Sequence, residues 1–243
     1  MGGPGMAISE LQLPQGVAPH EFPSPPVLAE ALAEVVSARL REAIEARRQA
    51  GLVVSGGRSP VMFFQALARQ QSLDWNHVTI TLADERWVPV AHPDSNEGLV
   101  RRYLLQGPAS KARFIGLYQA SDSQEQSALA ADQALAGLAG IDVLVLGMGD
   151  DGHTASLFPN SPGLAAALAE SSARRCVAMQ APSVPHQRLS MTRALLASAR
   201  YPILSIQGQG KLDTLRAALA GGEIAEMPVR AFLHSPLDIF WCP

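Results

Sequence analysis

Cysteine is almost absent. Cys176 and Cys242 are the only two in 243 residues. Two thiols cannot build a disulfide scaffold, and they read as the reduced thiols of a cytoplasmic protein. No apolar run approaches the ~20 residues that a membrane helix needs. The opening Met1-Gly2-Gly3-Pro4-Gly5-Met6 has neither a basic start nor an apolar stretch, so no secretory signal is expected. Residues 1–5 read as an addition ahead of a native start at Met6. An excess of one charge is missing too: 19 Lys+Arg against 22 Asp+Glu leave a net charge of −3. Without a basic field the chain is not expected to coat nucleic acid or an anionic membrane. Any phosphate it binds must meet a few placed cations. Aromatics are sparse at 5%, but 47% of residues are hydrophobic, which excludes a wholly disordered chain.

Several chemical signatures are missing as well. There is no G-x-x-x-x-G-K-[ST], so a nucleoside triphosphate is not expected. There is no H-E-x-x-H, no paired C-x-x-C, and the six histidines are not at ligand spacing. No G-x-S-x-G elbow supplies a serine nucleophile. Metal-dependent and serine-dependent hydrolysis are both disfavoured.

What is present alternates. Residues 1–26 hold six prolines and read as an extended tail. From Val27, Leu28, Leu32, Val35, Val36, Leu40 and Ile44 recur at helical steps, with Gly51 as the stop. Leu52-Val53-Val54 reads as a buried strand. A second helix is expected to open with Ser59 as its cap and Pro60 at its first position. Strands follow at 78–82, 114–117, 141–146, 176–179, 202–206 and 229–233. Helices are expected from Ser95, over 123–138 and over 211–220. The 141–146 strand is apolar except at Asp142, as suits a sheet covered on both faces. Strand and helix alternate throughout, without a repeat or an interior linker. The expected fold is α/β: one three-layer domain over 27–243, with a mostly parallel sheet and helices on both faces.

In such a sheet ligands sit beyond the carboxyl ends of the strands, and four polar clusters fall there. Ser55-Gly56-Gly57-Arg58-Ser59-Pro60 reads either as a phosphate cradle or as a tight turn that needs glycine. In Asp84-Glu85-Arg86-Trp87, Arg86 either meets an oxyanion or phosphate or belongs to a surface ion cluster. Arg188 and Lys211 are candidate phosphate cations; the alternative is a pair of solvated side chains. Lys211 opposes the dipole of the helix it opens, which makes sense if an anion binds nearby.

The fourth cluster, Gly147 to Pro159, contains G-x-G-x-x-G after a strong strand. Asp150 and Asp151 would repel a pyrophosphate. Pro159 and Pro162 cut short any following helix, and no strand ends in an acid about 20 residues on to grip a ribose. The residues better suit an exposed base. His153 sits at the tip of a close-approach loop with Asp151 two positions earlier. An imidazole there can take a proton from water while the carboxylate fixes its tautomer.

Taken together, these stretches resemble the 6-phosphogluconolactonases, in the superfamily that also holds glucosamine-6-phosphate deaminase. The resemblance rests on the Ser-Gly-Gly-x-Ser-Pro loop at 55–60, Asp84 to Pro89, and Ser95-Asn96 with Arg102 to Leu105. Gly147 to Pro159, Pro185 to Thr192 and Lys211 complete it. It implies a Rossmann-like sheet and hydrolysis of 6-phospho-D-glucono-1,5-lactone to 6-phospho-D-gluconate in the oxidative pentose phosphate pathway, without metal or organic cofactor. It assigns catalysis to His153, Asp151 and Arg86, and phosphate binding to Ser55, Gly56, Gly57, Arg58, Ser59, Arg188 and Lys211. The partner implied is a small phosphosugar lactone; the oligomeric state stays open. The deaminases and isomerases of the superfamily carry an acidic residue shortly after the histidine, where this chain has Leu157-Phe158-Pro159. Sensors that borrow the fold add a DNA-binding segment, which the proline-rich 1–26 stretch cannot supply as a helix-turn-helix.

Overall fold

The computed structural model describes residues 7–243. Its central sheet has seven strands: β1 (Val17–Glu21), β2 (Ala50–Val54), β3 (Val78–Leu82), β5 (Arg113–Ile115), β6 (Val143–Leu146), β9 (Tyr201–Gln207) and β10 (Leu237–Cys242). Their order is β1-β10-β9-β6-β2-β3-β5, and all six pairings are parallel. Three further strands, β4 (Asp84–Arg86), β7 (Cys176–Gln180) and β8 (Gln187–Met191), form a small antiparallel sheet ordered β4-β8-β7. This is the expected α/β fold, with a minor sheet that the sequence reading did not anticipate.

Connections toward the β5 edge carry α1 (Pro25–Arg47), α2 (Val61–Ala68) and α3 (Asn96–Tyr103). Those running back carry α4 (Gln124–Leu135), α5 (Leu164–Leu168), α6 (Arg193–Leu196) and α7 (Gln209–Leu219). Parallel crossovers are right-handed, so the two sets cover opposite faces of the sheet. α1 packs on α2 and α2 on α3, as helices sharing one face must. Leu52, Val53 and Val54 of β2, with Val143 and Leu144 of β6, are wholly buried between the layers.

Direction reverses between neighbours β2 and β6: the chain leaves β2 toward one face and β6 toward the other. At such a switch point the following loops diverge and open a crevice at the carboxyl ends. The loops concerned are 55–60 and 147–154.

Several expectations need correction. Residues 7–26 are not a tail. Ile8 is buried in the core, and β1 adds to the sheet beside β10. Pro19 is tolerated because β1 lies at an edge with one partner. The part of the proline-rich stretch before Ala7 lies outside the described residues. α1 ends at Arg48, which takes the left-handed conformation (φ 64°), and not at Gly51. Gly51 lies within β2, where a side chain would strike the Gly140 carbonyl. Ser59 does not cap α2; Pro60 occupies that position without a side-chain bond. Residues 228–232 form a 3-10 turn instead of a strand, and the last strand is β10. The Ser95 cap is as expected, accepting from the Gly98 amide at 3.0 Å.

Burial of Ile8 gives a direct check. Ile8→Ala should cost about 2–5 kcal/mol in urea unfolding, as large-to-small core changes do. A loss below ~0.5 kcal/mol, the usual size for surface positions, would return residues 7–26 to the status of a tail.

Candidate functional site

The crevice at the switch point is a cavity of about 270 Å³. Ser55, Gly56, Gly57, Arg58, Ser59, Arg86, His153, Arg188 and Lys211 all line it. Of the ten candidate residues only Asp151 stands behind the lining, where it touches His153. The fold thus gathers loops that are up to 156 residues apart in the chain (Ser55 to Lys211).

His153 is held by its own loop. Its Nδ1 lies 2.5 Å from Asp151 Oδ1, and its backbone N–H donates to the same oxygen at 3.0 Å. An ionised carboxylate only accepts, so Nδ1 carries the proton in this pair, and in the neutral ring the lone pair is then on Nε2. Partial burial raises the Asp151 carboxyl, but the bonds from the His153 ring and amide outweigh it and hold the group below its ordinary value. Gly149 makes room for the ring: a Cβ there would lie 2.1 Å from both Cε1 and Nδ1. Phe158 packs its ring 4.5 Å from the imidazole. Thr154 donates to the Gly147 carbonyl at 2.8 Å and closes the loop at its base. The segment after Gly152 forms turns and no helix before Leu164, so the G-x-G-x-x-G string presents no helix N-terminus to a pyrophosphate.

The cations come from three places. Arg86 and Arg188 face each other across the β4–β8 pairing. Arg86 donates to the Asp94 carbonyl at 2.6 Å, while its Nε is buried without a partner. Arg188 is buried, donates from Nε to the Pro185 carbonyl at 2.7 Å, and lies 5.6 Å from the centre of the Phe158 ring. Burial, and then the charge of Arg86, pull its guanidinium below the ordinary value, though an arginine stays charged in a protein. Lys211 sits in the first turn of α7 and pairs with Asp150 at 2.6 Å, so an acidic neighbour offsets the unfavourable dipole there. With Arg58, four cations face one lining carboxylate, Asp84.

Sequence reading missed Asp84 and Asn96 as lining residues. Asn96 begins α3, and its side chain packs against Gly56: a Cβ on Gly56 would lie 2.1 Å from Asn96 Oδ1. Only the fold brings those two loops together. The Ser55 hydroxyl and Asn96 Oδ1 join Arg86 Nε as buried polar atoms without a protein partner. Among the described residues no group of His, Cys, Asp and Glu gathers as a metal site.

Glu85 supports this arrangement from behind. It is fully buried and accepts from the Asn96 and Glu97 amides at 2.7 Å each, from the Arg86 amide at 2.7 Å and from the Ser95 hydroxyl at 3.2 Å. It thereby ties β4 to the N-terminus of α3. Burial pushes its carboxyl up to about 7, against the lowering effect of the Glu97, Asn96 and Arg86 amides.

A family model described as glucosamine-6-phosphate isomerases/6-phosphogluconolactonase matches residues 23–241. The chain is 64% identical to a 6-phosphogluconolactonase of Pseudomonas putida over 243 residues, all of both chains. It is 60% identical to one of Pseudomonas aeruginosa over 239 residues, 98% of this chain and 100% of the other. Among solved structures, a 6-phosphogluconolactonase from Shewanella baltica superposes with a TM-score of 0.91 at 40% identity, covering 96% of this chain and 100% of that one.

The buried Glu85 sets the sign of a pH effect. A carboxyl raised to about 7 in the folded state binds more protons there than in the unfolded chain between its ordinary value and about 7. Stability from this group is full below that window and is lost as the pH rises through it. Glu85→Gln should flatten the stability profile between roughly pH 4.5 and 7. Parallel wild-type and variant profiles in urea unfolding would disprove the assignment.

Proposed function

The chain belongs to the glucosamine-6-phosphate isomerase/6-phosphogluconolactonase family, and on that premise we propose that the cavity hydrolyses 6-phospho-D-glucono-1,5-lactone to 6-phospho-D-gluconate, with His153 activating the water. One observation carries this reading: the Asp151-held imidazole shares a cavity with four cations. The cations suit a phosphate dianion, and the imidazole suits the ester carbonyl of the same substrate.

In this mechanism the loop amides at Gly56 and Gly57, with Arg188 and Lys211, hold the phosphate and so position the carbonyl at the other end of the substrate. Nε2 of His153 takes a proton as water attacks C1. Asp151 stabilises the imidazolium that results and keeps its orientation. Arg86, or amides of the loop, meet the tetrahedral oxyanion. The C1–ring oxygen bond then breaks, and His153 returns its proton to that oxygen. Lactones hydrolyse slowly without help, so the site need not supply an extreme acceleration. The chemistry uses no metal or organic cofactor, and the reaction belongs to the oxidative pentose phosphate pathway in the cytoplasm. A ring-opening deaminase is disfavoured because Leu157-Phe158-Pro159, shortly after His153, supplies no acidic residue: Leu157 is fully buried and Phe158 packs on the imidazole.

A coupled assay on freshly made lactone, with glucosamine 6-phosphate as the parallel substrate, tests the reaction. Turnover of the amino sugar and none of the lactone would overturn it. His153→Ala should lower kcat by about 10²–10⁴ while leaving inhibition by inorganic phosphate nearly unchanged. An unaltered kcat would remove His153 from the base role. Lys211→Ala should act mainly on KM, raising it by roughly 10-fold or more, as expected for a lost charged hydrogen bond. An unaltered KM would remove Lys211 from the anchor.

A further inference from the structure

Asp84 is the carboxylate that lines the cavity, and the mechanism leaves it unused. It is buried at the floor of the cavity, on β4, with Arg86 two residues away. The Ser156 hydroxyl donates to its Oδ2 at 2.6 Å, and Asn96 donates to its backbone carbonyl at 2.9 Å. Among the described residues no protein donor reaches its Oδ1. A second carboxylate, Glu85, lies next to it in the chain and is wholly buried.

A carboxylate at the wall of a site built for a dianion opposes binding by simple charge. It also carries acceptor positions that need donors. Ser156 supplies one. Water fills the rest in the open cavity, and a substrate that displaces that water must replace its hydrogen bonds or lose affinity. The phosphate and the ester carbonyl of a phosphosugar lactone offer acceptors only. Its ring hydroxyls are donors, and they lie between those two ends.

We propose that Asp84 accepts a hydrogen bond from a ring hydroxyl of the substrate, so that the site selects a polyhydroxylated phosphosugar lactone over a deoxy lactone bearing the same phosphate. This deepens the lactonase reading and rests on it. The selectivity comes from a buried acceptor left without a donor when the hydroxyl is missing. Ser156 fixes the carboxylate's direction, and its own place is fixed by an amide hydrogen bond to the Ser190 hydroxyl at 3.3 Å on β8.

The test compares wild type and Asp84→Asn on the parent lactone and on its 2-, 3- and 4-deoxy forms. Asn keeps the shape and leaves an oxygen for Ser156. In the wild type, one deoxy form should lose about 10- to 100-fold in kcat/KM, the range of a hydrogen bond to a charged group. In Asp84→Asn the parent should lose a similar factor, and the penalty for that same deoxy form should shrink to about threefold or less, because the two changes remove one interaction. Competitive inhibition by inorganic phosphate should tighten in the variant, since a repelling charge is gone. A purely structural Asp84 would weaken phosphate and lactone together, and that result overturns the proposal. Additive losses for all three deoxy forms overturn it too. If Asp84→Asn does not fold, the wild type alone decides against the idea when every deoxy form stays within about threefold of the parent. Failure of the lactonase reading shows itself separately, as absence of wild-type turnover on the parent lactone.

Discussion

Where the connections after two neighbouring parallel strands leave toward opposite faces, the loops that follow must diverge at the carboxyl ends. In this chain those strands are β2 and β6, and every feature of the site depends on the divergence of their loops. The gap receives the 55–60 loop from one side and the 147–154 loop from the other. Right-handed crossovers make the divergence obligatory once the strand order is set. The order in turn follows from burial: both strands are apolar along their length, so they can be satisfied only at the centre of a covered sheet.

Electrostatics then divides the labour within the gap. The main sheet supplies loops with free amides and an imidazole. The small sheet supplies guanidiniums, placed opposite each other by antiparallel register. The buried Glu85 ties that small sheet to α3, so Asn96 and Arg86 arrive together. The imidazole is oriented from within its own loop, with Asp151 two residues before it. The base and the cations are linked through shared contacts: Phe158 lies against both the His153 ring and Arg188, and Asp150 of the histidine loop pairs with Lys211.

Much of this could be read from residue order. β2 and β6 announce themselves as short apolar runs and β3 as an alternating β-branched one, and the glycine-rich stretches after β2 and β6 mark the site. The Ser95 cap follows from its hydroxyl beside a helical pattern. What escaped reading was long-range. β1 carries Pro19, which local rules count against a strand, and only its edge position excuses it. β8 alternates polar and apolar residues weakly, and becomes a strand because β4 and β7 flank it. Gly51 looks like a helix stop, but its missing side chain answers a close approach by Gly140, 89 residues on. Asn96 belongs to a stretch that carries the family resemblance, but its place at the cavity was not legible, because its partner Gly56 lies on a different loop.

The join between the two sheets has a mechanical consequence. It is one residue long: the Ala83 amide donates to Val54 in the main sheet at 2.9 Å, while its carbonyl accepts from Met191 in the small one at 2.8 Å. A single peptide pair is thus clamped to both ladders. The small sheet has no freedom to slide along its own strands without dragging the tip of β3 off β2. The backbone of the arginine-bearing strands is thereby held against the end of β2, from which the glycine loop departs.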